Sequence, residues 1–294
     1  MHTGITFAQR FTRFITVAVL LAGALSLNAQ NFPLEMRLSP DGHTLKTGGA
    51  PPTSGLYDTT LIRSVYIDFP QTNYWSLMQQ NYQTRTKIAA NLTVDGVTYD
   101  SVGVGFKGNT SYQNVQNSQK KSFGVDMEFT HDGQDLMGYK TLNFNNSFED
   151  ASFLREVFYL HQIRKHIPAA KANFVHLYLN NADWGLYPNV QQVNKDLLDE
   201  WFLSNDGANW RAHVRTTGGP GGGGGGQWGD GTAALNYLGA DTALYQSKYT
   251  LKSTDINDSW SKLVAGCNAL NNTSTANLPT VLPTFLMLTV YCGS

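Results

Sequence analysis

Val102-Gly103-Val104-Gly105-Phe106-Lys107-Gly108-Asn109-Thr110-Ser111, followed after a polar interval by Lys120-Lys121-Ser122-Phe123-Gly124-Val125-Asp126-Met127-Glu128-Phe129, is the stretch whose reading decides the fold. In the first segment Val102, Val104 and Phe106 alternate with small residues, the period of a β-strand with one apolar face. In the second, Lys121, Phe123, Val125, Met127 and Phe129 share one face, while Lys120, Ser122, Gly124, Asp126 and Glu128 share the other. Two strands joined by a polar loop from Gly108 to Gln119 are therefore expected.

The surrounding sequence extends this into a sheet. Leu61 to Phe69 is rich in β-branched and aromatic residues and reads as a strand. Tyr74 to Tyr82 reads as a short helix. Asn91 to Val94 and Val97 to Tyr99 flank Asp95-Gly96, a strong two-residue hairpin pattern. Downstream, Asp150 or Ser152 can cap a helix running to about His166, with Leu154, Val157, Phe158 and His161 as its buried stripe and Pro168 as its stop. Phe174 to Leu179 and Gly185 to Val190 form another hairpin, and Lys195 to Leu203 and Trp260 to Leu270 read as helices. The fold class is α+β: an antiparallel sheet followed by helix, hairpin and further helices.

Composition narrows the setting. The chain has 294 residues, 41% hydrophobic and 12% aromatic, which suits a globular protein. A formal net charge of −1 gives no reason to propose nucleic acid or an anionic membrane as partner. Arg10 and Arg13 precede an apolar run from Phe14 to Leu27, shorter than the ~20 residues of a membrane-spanning helix. Residues 1–29 thus read as a signal peptide cleaved after Ala29, leaving no membrane span and placing the protein outside the cell or on its surface. Residues 30–56, with Pro33, Pro40, Pro51 and Pro52, read as a linker, and residues 57–277 as the folded domain. The glycine-rich segment 218–231 lacks the strand, helix and Gly-Lys-Ser/Thr ending of a phosphate loop and reads as a surface insertion. Cys267 and Cys292 could pair in an oxidising compartment.

Phe106-Lys107-Gly108-Asn109-Thr110-Ser111, Lys120-Lys121-Ser122-Phe123, Leu154-Arg155-Glu156 and Gly185-Leu186-Tyr187, in this order, resemble the CotH (spore coat protein H) kinase-like family. The resemblance implies the small lobe and hinge of an atypical protein kinase, with ATP and magnesium as cofactors. It also implies phosphorylation of Ser or Thr on secreted or cell-surface proteins. Phosphoryl transfer needs cations on the phosphates, a carboxylate that fixes the main lysine, and acidic residues that hold metal. Lys121, set by parity beside apolar side chains, is the expected phosphate lysine, and Glu156 its expected partner within about 4 Å. Lys120 is the alternative lysine. Lys107, Gly108, Asn109, Thr110 and Ser111 are expected to cradle phosphates, and Gln192 lies where an adenine-binding hinge would fall. The family usually carries Arg-Gly where Lys107-Gly108 stands, and often an acidic residue near Gln191-Gln192.

No metal ligands are assigned. Asp241, Asp255 and Asp258 have no strand–loop context suited to magnesium, and residues 278–294 carry no charge and two prolines, Pro279 and Pro283. That tail reads as aberrant, as if the reading frame were lost near Leu278, which would leave this chain with little or no kinase activity. A non-catalytic surface adhesin or coat-assembly scaffold of the same fold is the alternative. A carbohydrate-binding β-domain, suggested by 14 Tyr and 6 Trp, is a weaker one, since alternating strand aromatics usually pack in cores.

Overall fold

The computed structural model describes residues 50–115, 119–165, 167–201, 208–212, 233–253 and 258–281, together with the backbone of 35–38 and 44–47. Residues 1–29, expected to be a signal peptide, the glycine-rich segment 218–231, Cys292 and most of the tail lie outside the described residues.

Seven strands close into a barrel: β3 (Arg63–Asp68), β4 (Ile88–Val94), β5 (Val97–Lys107), β6 (Ser122–Asp126), β7 (Thr141–Phe144), β8 (Ala172–Leu179) and β9 (Ala182–Val190), in the order β3-β4-β5-β6-β7-β9-β8. Neighbours are antiparallel except β3 and β8, which pair in parallel and seal the barrel. A short ribbon, β1 (Glu35–Leu38) with β2 (Thr44–Thr47), precedes it. The mixed α+β class expected from sequence is present, but the sheet expected as antiparallel hairpins is closed into a barrel by one parallel pair.

Alternation explains how the barrel is filled. Val65, Ile67, Leu92, Val94, Val102, Val104, Phe123, Val125, Leu142, Val175, Leu177 and Tyr187 point inward and are almost wholly buried. Barrels of this size are filled by side chains rather than hollow. Trp75, from helix α1 (Tyr74–Gln80), plugs one end against Phe106, Phe123 and Trp184. Gly103, Gly105 and Gly124 lie on the outer face, where the side chains of Phe129, Lys87 and Lys107 respectively lie against them.

After β5 the chain makes a single helical turn, α2 (Thr110–Gln113), before entering β6. Helix α3 (Arg155–Ile163) follows β7; its N-cap is Leu154, without a side-chain cap, rather than the expected Asp150 or Ser152, although Asp150 Oδ2 accepts the Arg155 amide from the preceding turn. Helix α3 and helix α4 (Lys195–Trp201) pack outside the barrel in a second core of Val157, Ala170, Ala172, Val190, Leu197 and Trp201. The stripe expected on α3 is only partly buried. Val157 is inside, but Leu154 and Phe158 are 56% and 64% exposed, because the helix turns Val157, Leu160 and Arg164 toward the barrel.

A third core unites β10 (Trp210–Ala212), β11 (Tyr249–Leu251), α5 (Thr242–Gln246) and α6 (Ser259–Asn272), around Tyr245, Tyr249, Leu263, Val264 and Cys267. Cys267 is buried and has no disulfide partner among the described residues. Residues Leu278–Val281 form a short helix, α7.

Candidate functional site

The lysine that meets Glu156 is Lys107. It ends β5, paired with Ser122 of β6, on the outer face of the barrel. Its stem runs over Gly124, and its Nζ donates to Asn143 Oδ1 at 2.9 Å and to Asn145 Oδ1 at 3.0 Å. Asn145 Nδ2 donates in turn to Glu156 Oε1 at 2.7 Å. Asn143 Nδ2 donates to Val190 O and to Gln192 Oε1, both at 3.1 Å. Lys107, Glu156 and Gln192, read from separate motifs, thus converge on one patch, and two asparagines of the β7 segment join them.

Burial shapes the charges here. Desolvation lowers the Lys107 ammonium to about 8; Glu156 opposes the fall and Arg211, on β10, adds to it. Desolvation raises the Glu156 carboxyl, while the hydrogen bond from Asn145 and the charge of Lys107 pull it back. An ammonium has three N–H donors. Among the described residues two acceptors take Lys107, and the third donor is available to an anion.

Lys121 does not reach Glu156. Its Nζ donates to the backbone carbonyls of Tyr112 (3.2 Å) and Val115 (2.7 Å), and lies 4.5 Å from the Tyr112 ring centroid. The parity that places Lys121 with Phe123 and Val125 turns it to the inside of a closed barrel, whereas α3 packs on the outside. Only an outward lysine can meet a carboxylate on that helix. Lys121 therefore pins the loop that covers the barrel end. Lys120 does similar work on the opposite side: its Nζ donates to Trp184 O (3.0 Å) and Leu186 O (2.8 Å), and sits 3.6 Å from the Tyr187 ring centroid. Burial lowers it to about 8, with Asp183 opposing.

The loop expected to cradle phosphates is tied down by the protein itself. Gly108 adopts φ +86°, and a side chain there would run into Ser111 Oγ. Tyr82 Oη and the Arg85 guanidinium donate to Gly108 O. Asn146 Nδ2 donates to Ser111 O and Lys120 O, and its backbone N–H donates to Ser122 Oγ. Asn109, Thr110 and Ser111 thus sit beside Lys107 in a fixed turn rather than a flexible flap. Gln191, next to Gln192, is used structurally: it exchanges hydrogen bonds with Lys171 and donates to Glu200, which also bridges Arg164 (3.2 Å) and Lys171 (2.9 Å).

The residues at Lys107 suit a phosphate: a half-buried cation with an uncommitted donor among the described residues, beside a turn that needs glycine. Magnesium is another matter. Among the described residues no group of three or more His, Cys, Asp or Glu side chains could hold a metal ion. Sequence reasoning missed Asn143 and Asn145. Thr141-Leu142-Asn143-Phe144 does alternate, and Asn143 belongs to the polar half of a strand whose other half, Leu142 and Phe144, is core, with Asn145 following just beyond it.

The family model described as CotH kinase protein matches residues 104–290, well over half of the chain. The chain belongs to the CotH kinase family. The match begins within β5 at Val104, takes in Lys107 through Gln192, and runs on through α7 into the residues beyond it. A search of curated proteins gives no match.

Proposed function

We propose that the protein acts in ATP-dependent phosphorylation of Ser or Thr on secreted or cell-surface proteins, with the nucleotide phosphates held at Lys107. The observation that carries this reading is the convergence of Lys107, Glu156 and Gln192 on one outer patch of the barrel in a member of the CotH kinase family. In phosphoryl transfer a lysine steadied by a helix glutamate neutralises phosphate charge. Lys107 has the position and the available donor for that role, and Glu156 the position to sustain its charge. Bound ATP would supply the phosphoryl group; Lys107 would orient it, and Gln192 lies beside the chain that leaves β9, where a base could rest. Export is supported by the leader from Arg10 to Leu27, and among the described residues no helix is long and apolar enough to cross a membrane.

The test is ATP binding by calorimetry. Measurable affinity that Lys107→Met removes supports the reading, and an absence of binding in the wild-type chain overturns it. The exposed apolar face of α3, Leu154, Phe158 and Tyr159, favours a second reading. Contiguous apolar surface often marks a protein interaction site, and a scaffold that binds surface proteins without catalysis would use it while binding no nucleotide.

A further inference from the structure

We propose that Asn145 is a positioning residue of this site, a side-chain amide relay that holds Lys107 and Glu156 in place while keeping them from closing into a direct ion pair. The inference rests on the phosphate reading of Lys107 given above. Asn145 Oδ1 accepts from Lys107 Nζ at 3.0 Å, and Asn145 Nδ2 donates to Glu156 Oε1 at 2.7 Å. The orientation of the amide follows from its neighbours. An ammonium can only donate, so it must face the oxygen, which leaves the NH2 for the carboxylate.

A direct lysine–glutamate contact would occupy the third Lys107 donor and neutralise the cation where a phosphate needs it. One amide between them leaves that donor available and keeps the carboxylate near enough to sustain the charge. Asn143 does not share this task. It also accepts from Lys107, but its NH2 goes to Val190 O and Gln192 Oε1, which are uncharged. Asn143 steadies the lysine against the chain leaving β9; Asn145 couples it to a charge. The charged groups that act on Lys107 are Glu156 from α3 and Arg211 from β10, while β7 and its extension present only the two neutral amides.

The experiment compares wild type with Asn145→Asp, Asn145→Ser and the control Asn143→Ser. Two readouts are taken: the Lys107 titration by carbon-13 NMR of its ε-methylene in nucleotide-free protein, and ATP affinity by calorimetry. An aspartate in the relay places a charge directly on Lys107 and should raise its titration midpoint by about one pH unit or more. Asn145→Ser should weaken ATP binding about tenfold, the loss of one oriented contact. Asn143→Ser should leave the spacing of Lys107 and Glu156 in place, so the further change Glu156→Gln lowers the midpoint there as it does in wild type, and by more in Asn145→Ser, where the two charges can close on one another. A Lys107 midpoint in Asn145→Asp equal to wild type, or Glu156→Gln shifting it equally with and without Asn145, overturns the relay. Wild type that binds no ATP while these midpoint shifts occur refutes the phosphate reading and leaves the relay standing. If Asn145→Asp fails to fold, the Glu156→Gln comparison in Asn145→Ser still decides.

Discussion

Replacing Lys107 and Lys121 each by methionine separates a ligand-facing cation from a structural one. Lys107 has two asparagine acceptors and one N–H available, whereas Lys121 gives its hydrogen bonds to Tyr112 O and Val115 O inside the barrel end. A hydrogen bond to a charged group is worth about 1.5–3 kcal/mol. At 1.4 kcal/mol per tenfold, Lys107→Met should weaken ATP binding roughly 10- to 150-fold. Its effect on folding should be the smaller of the two, because burying the ammonium already opposes folding. Lys121→Met leaves two carbonyls without their donor, about 1–3 kcal/mol for each that stays buried. With roughly 2–4 °C lost per kcal/mol in a domain of this size, its melting temperature should fall by several degrees.

Calorimetric titration with ATP and thermal unfolding, run on both variants, check this directly. The expected pattern is crossed: Lys107→Met loses affinity with little change in melting, and Lys121→Met loses melting temperature with affinity kept. The reverse, with Lys121→Met abolishing binding in a protein that melts like wild type and Lys107→Met binding normally, would refute the assignment of inner and outer lysines.

ATP affinity should fall as pH rises through about 8, where Lys107 loses its proton, while unfolding free energy should rise between about 8 and the ordinary lysine 10.5. The sign follows because the native state holds fewer protons than the unfolded chain in that window; urea denaturation and calorimetry at pH 7, 8 and 9 check both trends. Glu200→Gln removes the shared partner of Arg164 and Lys171 and should cost about 3–5 kcal/mol. Burial alone would raise Glu200, but Lys171 and Arg164 hold it below its ordinary value, so this stabilisation is present above about 4.5 and lost as pH falls through the folded value. Gly108→Ala should destabilise by about 1–2 kcal/mol or more through left-handed strain and the Ser111 contact, measured as a lower urea midpoint. Phe158→Ser should leave the melting temperature within a degree or two and reduce aggregation, read by light scattering, since its side chain is 64% exposed.

Much of the barrel was legible because strand alternation is strong. The strand expected over Leu61 to Phe69 appears as Arg63–Asp68, the Asp95-Gly96 hairpin forms where its pattern placed it, and the strand expected from Lys121 to Phe129 appears as the shorter Ser122–Asp126, with Phe123, Val125 and Met127 fully buried. Closure was not legible. It depends on the parallel pairing of β3 with β8, strands about a hundred residues apart, and no local pattern encodes that register. The four-residue β7 was missed because its apolar half is only Leu142 and Phe144, set among turns and asparagines.

The site shows where parity reasoning holds and where it needs topology. Lys121 was singled out because it shares a face with Phe123 and Val125, and that face assignment is correct. An open sheet can carry a helix on either face, so an inward lysine could then meet Glu156. A closed barrel has only one face that a helix can cover, and the side chains that meet α3 must come from the opposite parity. Lys107 satisfies this: it lies outside, directly across from Ser122, and the outward residues Asn143 and Asn145 carry the path from it to Glu156. Glu156 and Lys107 were each visible as chemistry, but choosing between two lysines required knowing that the sheet closes. The same logic makes the arrangement testable without a ligand. An ammonium on the outer face should titrate near 8 and respond to Glu156→Gln, while Lys121, bonded to carbonyls within the barrel end, should not respond to that change. Equal responses of both lysines would mean that the carboxylate lies between them and that the face assignment fails.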